Sequence, residues 1–216
     1  MPRLSPLVLS ILLWLGLLGA AACRGTETTP GGSDGAGAAL QRDAGSADAA
    51  SYVGRAACVS CHREEVDRYT GSHHDLAMQE PTAQTVLGDF GDATFTYNGV
   101  TSRFSTRDGR FIVRTDGPDG RLQDFEVAYV FGVSPLQQYL IAFPGGRYQA
   151  LSIAWDTRPR AEGGQHWYHL YPDERVTHAD VLHWTKFGQN WNAQCATCHS
   201  TNPRKNYDRA ADTYTT

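Results

Sequence analysis

Residues 92–131 read DATFTYNGVTSRFSTRDGRFIVRTDGPDGRLQDFEVAYVF. Threonine, valine, isoleucine, phenylalanine and tyrosine recur through this stretch, and these are the side chains that suit a pleated, half-buried surface. Asn98-Gly99, Asp108-Gly109 and Asp119-Gly120 punctuate it, and such pairs supply the positive φ angles that tight hairpin turns demand. Phe125, Val127, Tyr129 and Phe131 alternate with Glu126 and Ala128, the pattern of a strand with one face in a core. QQYLIAF and YQALSIAW continue the theme on either side of Gly145-Gly146. The spacing predicts an antiparallel meander of about five or six strands over residues 92–156. Gln137, Gln138, Arg103 and Arg114 read as solvated strand positions, and the meander carries no catalytic constellation.

Working outward, the same short pattern stands on both sides of the meander. Upstream, residues 58–78 read CVSCHREEVDRYTGSHHDLAM, and downstream, residues 195–199 read CATCH. C-x-x-C-H is the attachment signature of c-type haem. Two thiols three positions apart can each add to one vinyl group of the same porphyrin, and the histidine that follows supplies an axial nitrogen to the iron. Cys58, Cys61, Cys195 and Cys198 are therefore candidate haem-binding residues, with His62 and His199 as iron ligands.

Three plainer readings compete. The four cysteines could form a four-thiolate zinc site, two redox dithiols, or structural disulfides. Zinc does not account for a histidine after each pair, and zinc knuckles usually lie much closer together in sequence. A thioredoxin-like dithiol calls for a βαβ context that neither copy has. Two covalently attached haems c are the expectation.

Between Ala56 and Met78 the pattern predicts short helices, with Val66 and Tyr69 sharing a face and Gly71 ending a turn. His73 and His74 follow as candidate nitrogens for the second face of an iron, with Met78 as a thioether alternative. Residues 157–194 are irregular and aromatic, and hold His166, His169, His178 and His183. If residues 165–171 are extended, alternation places His166 and His169 on opposite faces, so the two could not serve one iron. His183, between Leu182 and Trp184 and shortly before the second motif, is the best distal candidate of the four. Trp167, Tyr168, Tyr171, Trp184, Phe187 and Trp191 suit a core, some of it against haem.

The start of the chain is different. Residues 1–22 have a positive Arg3 and an apolar run from Leu7 to Leu18, interrupted only by Ser10 and Gly16, which is the make-up of a signal peptide. Ala20-Ala21-Ala22 predicts cleavage before Cys23, in the manner of a bacterial lipoprotein whose new terminal cysteine is acylated. Cys23 is also the cysteine left over after the two pairs. Residues 23–50 are rich in Gly, Ala, Ser, Thr and Asp and read as a disordered tether. The expected location is therefore outside the cytoplasm, on the periplasmic side of a bacterial membrane, with a lipid anchor. A formal charge of −4 and the lack of any basic run argue against nucleic acid as a partner.

YVGRAACVSCH followed by SHHDLAM resembles the opening of multihaem c-type cytochromes, where C-x-x-C-H is followed by S-x-H-x-x-A-M. Ser72, His74, Ala77 and Met78 match, and His73 takes the variable position, so the resemblance implies His74 as a distal ligand. FGVSPLQQYLIAFPGGRYQALSIAWDTRP, HWYHLYPDE, LHWT and NWNAQCATCHSTNPRKNYD are similar to the amino-terminal part of multihaem cytochromes with tetratricopeptide repeats, in the cytochrome c-prime and nitrifier tetrahaem cytochrome group. The likeness spans nearly all of residues 51–216. It implies a longer parent chain with at least one more C-x-x-C-H and helical, partner-binding repeats, neither of which is present before the sequence stops at ADTYTT.

The expected fold is α+β: one dihaem domain over residues 51–216, in which short haem-binding helical and irregular segments flank a β-rich insertion. Two functions fit. One is electron transfer to redox partner proteins without catalysis. The other is a multihaem oxidoreductase with one open iron acting on a small inorganic substrate. Six of the eight histidines remain after His62 and His199, enough to saturate both irons, which favours electron transfer.

Overall fold

A computed structural model describes residues 51–216. The expectations for the leader at 1–22, for Cys23 and for the tether at 23–50 lie outside the described residues.

The hairpin signals act where they stand. Asn98-Gly99 joins β2 (Gly91–Tyr97) to β3 (Val100–Arg107), and Asp108-Gly109 joins β3 to β4 (Arg110–Asp116). All four turn residues have positive φ, as the twist of a two-residue hairpin requires. β5 (Leu122–Phe131), β6 (Leu136–Phe143), β7 (Arg147–Ala150), β8 (Ile153–Asp156) and β9 (His166–His169) extend the sheet, and β1 (Met78–Gln79) adds to β5. The result is a nine-stranded antiparallel sheet in the order β2-β3-β4-β5-β6-β8-β9, with β1 on β5 and β7 on β6.

The sheet curls until its last strand returns to its first. At that junction the ring of Tyr97 lies flat on His169, with centroids 3.7 Å apart. The Tyr97 hydroxyl donates to the carbonyl of Tyr171 at 3.0 Å. Inside, Phe104 of β3 stacks on Trp167 of β9 at 3.6 Å, and Phe90, Val113, Val127, Val130, Tyr139, Ile141, Leu151, Ile153, Trp155 and Trp184 complete one core.

The expected α+β architecture is therefore corrected. The described residues form a nearly closed, barrel-like antiparallel sheet, and among them the α-helices are short: α1 (Arg63–Tyr69), α2 (Trp191–Gln194) and α3 (Ala196–His199). The β region is the larger part of the fold, with α2 docked on β7 and β1 paired with β5. The sheet also reaches beyond 92–156, to Met78 at one end and His169 at the other. The reason lies in burial. No residue from Ser51 to Asp89 is buried, so the helical part has no core of its own.

Gln137 is a second correction. It is fully buried, not solvated. Its Oε1 accepts from Leu87 N at 2.8 Å and from the Tyr139 hydroxyl at 3.2 Å, and its Nε2 donates to the Thr85 carbonyl at 2.9 Å. Gln138 is half-buried and donates to the Leu151 carbonyl. Arg103 and Arg114 are exposed, each paired with an aspartate.

One irregularity positions the site. The register of β5 on β6 shifts between Val127 and Tyr129. Without that bulge Val127 and Val130 would face opposite sides; with it both join the barrel core. Tyr129 and Phe131 are thereby turned to the outer face. There they meet Leu140, Ala150, Trp191, Ala196, Met78, Tyr148 and Cys195 in a second apolar cluster.

Candidate functional site

The two C-x-x-C-H motifs adopt the same local form. In each, a backbone N–H reaches back four residues, from His62 to the Cys58 carbonyl at 2.9 Å and from His199 to the Cys195 carbonyl at 3.1 Å. That single helical turn brings residues three and four apart onto neighbouring positions. All four cysteines are free thiols; Cys58, Cys61 and Cys198 are exposed and Cys195 is half-buried. Burial pushes the Cys195 thiol up, and the nearby Cys198 adds to the effect. Among the described residues no group of three or more His, Cys, Asp or Glu is placed to hold a metal ion, so the two cysteine pairs do not converge on a zinc site.

The second motif is anchored to the barrel. Asn190 caps α2 by accepting from Ala193 N at 2.9 Å. Asn192, fully buried, accepts from Tyr148 N at 2.8 Å and donates to the Gly146 carbonyl at 3.2 Å. Gln149 of β7 donates to the carbonyls of Trp184 and Lys186 and accepts from Asn190. The His199 ring makes an edge contact with Phe131, centroids 5.8 Å apart.

Beside this motif opens a cleft of about 660 Å³, lined by Cys198, His199, Trp191, Tyr129, Tyr69, His74 and Met78 among others. Clefts of this size hold small-molecule cofactors. Trp191 also borders an adjoining hollow of about 440 Å³. Its indole N–H is buried and has no hydrogen-bond partner among the described residues.

The first motif is anchored less. α1 buries no side chain, although Glu64 and Glu65 lie in its first turn and Arg68 in its last. Tyr52 and Val53 are about two-thirds exposed, and Tyr69 is 43% exposed. A helix this short is not stable on propensity alone and ordinarily rests an apolar face on something. Arg55, Cys58, His62, Glu65, Val66 and Tyr69 line a hollow of about 530 Å³ on that face. The His62 Nδ1 lies 3.9 Å from a Glu65 carboxylate oxygen. Tyr69 borders both hollows, with the Arg55 guanidinium over its ring at 4.9 Å.

A porphyrin fits both places by chemistry. Each hollow is lined by one thiol of its pair, Cys58 or Cys198, and by the exposed imidazole that follows, with Val66 and Tyr69 as apolar wall at the first and Tyr129, Trp191 and Met78 at the second. Cys58, Cys61 and His62 would hold one such group, and Cys195, Cys198 and His199 the other.

The remaining histidines separate. His74 lines the cleft and His73 does not. His166 is exposed and His169 buried, on opposite faces of β9. His183 is buried, and both its ring nitrogens are engaged: Nε2 donates to Asp116 at 3.1 Å and Nδ1 meets the Thr185 hydroxyl at 2.8 Å. Burial would raise the Asp116 carboxyl, but the His183 hydrogen bond brings it below its ordinary value. His178 abuts Gly120 in a surface turn. Phe131, Tyr129 and Asn192 are site-shaping residues that sequence reading missed. Only the bulge turns the first two outward, and no sequence pattern marks it.

No protein-family model, no curated protein and no solved structure matches this chain.

Proposed function

We propose that the chain is a c-type cytochrome that holds two covalent haems and passes electrons outside the cytoplasm. The observation that carries this reading is the pairing of each C-x-x-C-H turn, its thiols free, with an open hollow at its side. When bound, the haem supplies one-electron exchange between Fe(III) and Fe(II). The chain's own residues hold and shape it. Cys58 and Cys61, and Cys195 and Cys198, would hold the two groups; His62 and His199 would offer ring nitrogens to the irons; Phe131 restrains the His199 ring by edge contact. Trp191 and Tyr129 keep one side of the second hollow dry, and Tyr69 stands at both. Redox proteins are the partners, and acylation at Cys23 would keep the domain at a membrane surface.

A second reading has its own support. Among the described residues, the wall of the first hollow contains His62 but no second histidine and no methionine. An iron held there with one open face would suit an oxidoreductase for a small inorganic substrate. Carbon monoxide separates the two: saturated irons leave it unbound, and one open iron takes up one equivalent.

The direct test is the intact mass of the denatured, exported chain, with its reduced visible spectrum. A gain of two haems with a c-type spectrum is expected, and Cys58→Ala with Cys61→Ala should remove one of them. An unchanged mass in a host competent for haem attachment would refute the proposal.

A further inference from the structure

His74 follows the first motif in sequence, yet it lines the cleft beside the second. We infer that His74 supplies the second axial nitrogen to the haem attached at Cys195 and Cys198, not to the haem attached close by at Cys58 and Cys61. The inference rests on the proposed haem reading and deepens it.

Three observations lead there. His74 lines the same cleft as Cys198 and His199, whereas the hollow at the first motif is walled by Arg55, Cys58, His62, Glu65, Val66 and Tyr69. The segment carrying His74 is also tied to the second motif through the sheet. Gly132 N donates to the Ala77 carbonyl at 2.9 Å, Met78 pairs with Phe131 in the β1–β5 ladder, and Phe131 touches the His199 ring. Four residues after His74, the chain is thus in register with the residue that braces His199.

The turn before it is fixed as well. Gly71 takes φ +74° and its N–H donates to the Asp75 carboxylate at 2.9 Å. Asp75 in turn pairs with Arg55 at 2.6 Å, and Leu76 N bonds the Ser72 carbonyl at 3.0 Å. These contacts hold the backbone on both sides of His74 and leave its ring exposed at the cleft. Tyr69 marks the border between the two hollows, and His74 lies on the second motif's side of it.

Single-haem versions of the full chain test the assignment. Cys58→Ala with Cys61→Ala leaves the second haem alone, and Cys195→Ala with Cys198→Ala leaves the first. In the second-haem protein, His74→Met should replace a bis-imidazole spectrum by an imidazole–thioether one and raise the reduction potential. His73→Met should do neither. In the first-haem protein, His74→Met should leave spectrum and potential unchanged. The second-haem background decides: a shift on His74→Met supports the assignment, and an unchanged spectrum overturns it. A spectral change in the first-haem protein overturns the assignment, and so does a second-haem spectrum that responds to Met78→Leu and ignores His74→Met. A parent chain without haem mass overturns the underlying reading instead.

Discussion

At the scale of single residues, the buried histidines behave as structure. His169 and His183 border a cavity of about 30 Å³, room for about one water, with the unpaired Ser152 hydroxyl also in its wall. Burial pushes the His169 imidazole below its ordinary value. The sign of the consequence is fixed by linkage. Below the unfolded value near ~6.5, the unfolded chain binds more protons at this site than the folded one. Stability is complete above that pH and is lost as pH falls through the folded value, by at most about 1.4 kcal/mol per pH unit for one proton. Urea unfolding from about pH 7 to pH 5 should show a decline that is shallower in His169→Gln; equal slopes would remove His169 as its source. Gln137 makes a related point. Its polar side chain looks like a surface residue, because a sequence does not reveal that the Leu87 N–H and the Thr85 carbonyl are waiting inside for a partner.

At the scale of elements, the docking of α2 on β7 is the joint that holds the second motif. Asn192 makes that joint by accepting from Tyr148 N of β7 and donating to the Gly146 carbonyl just before that strand. Asn192→Ala would strand the Tyr148 N–H and the Gly146 carbonyl, at a cost of about 2–4 kcal/mol. Chemical denaturation should report that loss, and a change within about 0.5 kcal/mol would show that the joint is slack. The hairpins of β2 to β4 were legible, since Asn-Gly and Asp-Gly specify their turns chemically. The path of β5 was legible only to Val127. Alternation predicts one continued face, and the bulge that breaks it depends on what β6 presents opposite. The motif cysteines and their following histidines were plain in the sequence. The wall around them was not, because Phe131 and Met78 reach it through a pairing of distant segments.

For the whole molecule, the barrel is the common support of two sites with unequal backing. The second cleft is assembled from residues 69–80, Tyr129 of β5 and residues 191–201, whereas the first hollow draws on residues 55–69 alone. Heating should therefore alter the second cleft together with the barrel and leave the first motif's local environment on a separate course. Gly88→Ala offers a lever remote from both motifs. An added Cβ would lie 2.3 Å from the Tyr139 hydroxyl and 2.7 Å from the Trp167 ring, inside the main core. Overpacking of this kind costs about 1–3 kcal/mol. The variant should lower the melting temperature of the barrel by near-ultraviolet circular dichroism. In haem-loaded protein, it should bring forward spectral changes at the second haem more than at the first. Equal shifts would mean that both sites share the barrel's fate.

The half-buried thiol of Cys195 also bears on timing. Cys58 and Cys61 stand in the open in the finished fold and stay within reach of a modifying reagent. Cys195 is packed against Leu140, Ala150 and Trp191 once α2 has docked. On the proposed haem reading, the second motif would be attached most readily while that helix is still undocked, and the barrel's folding rate would set that interval.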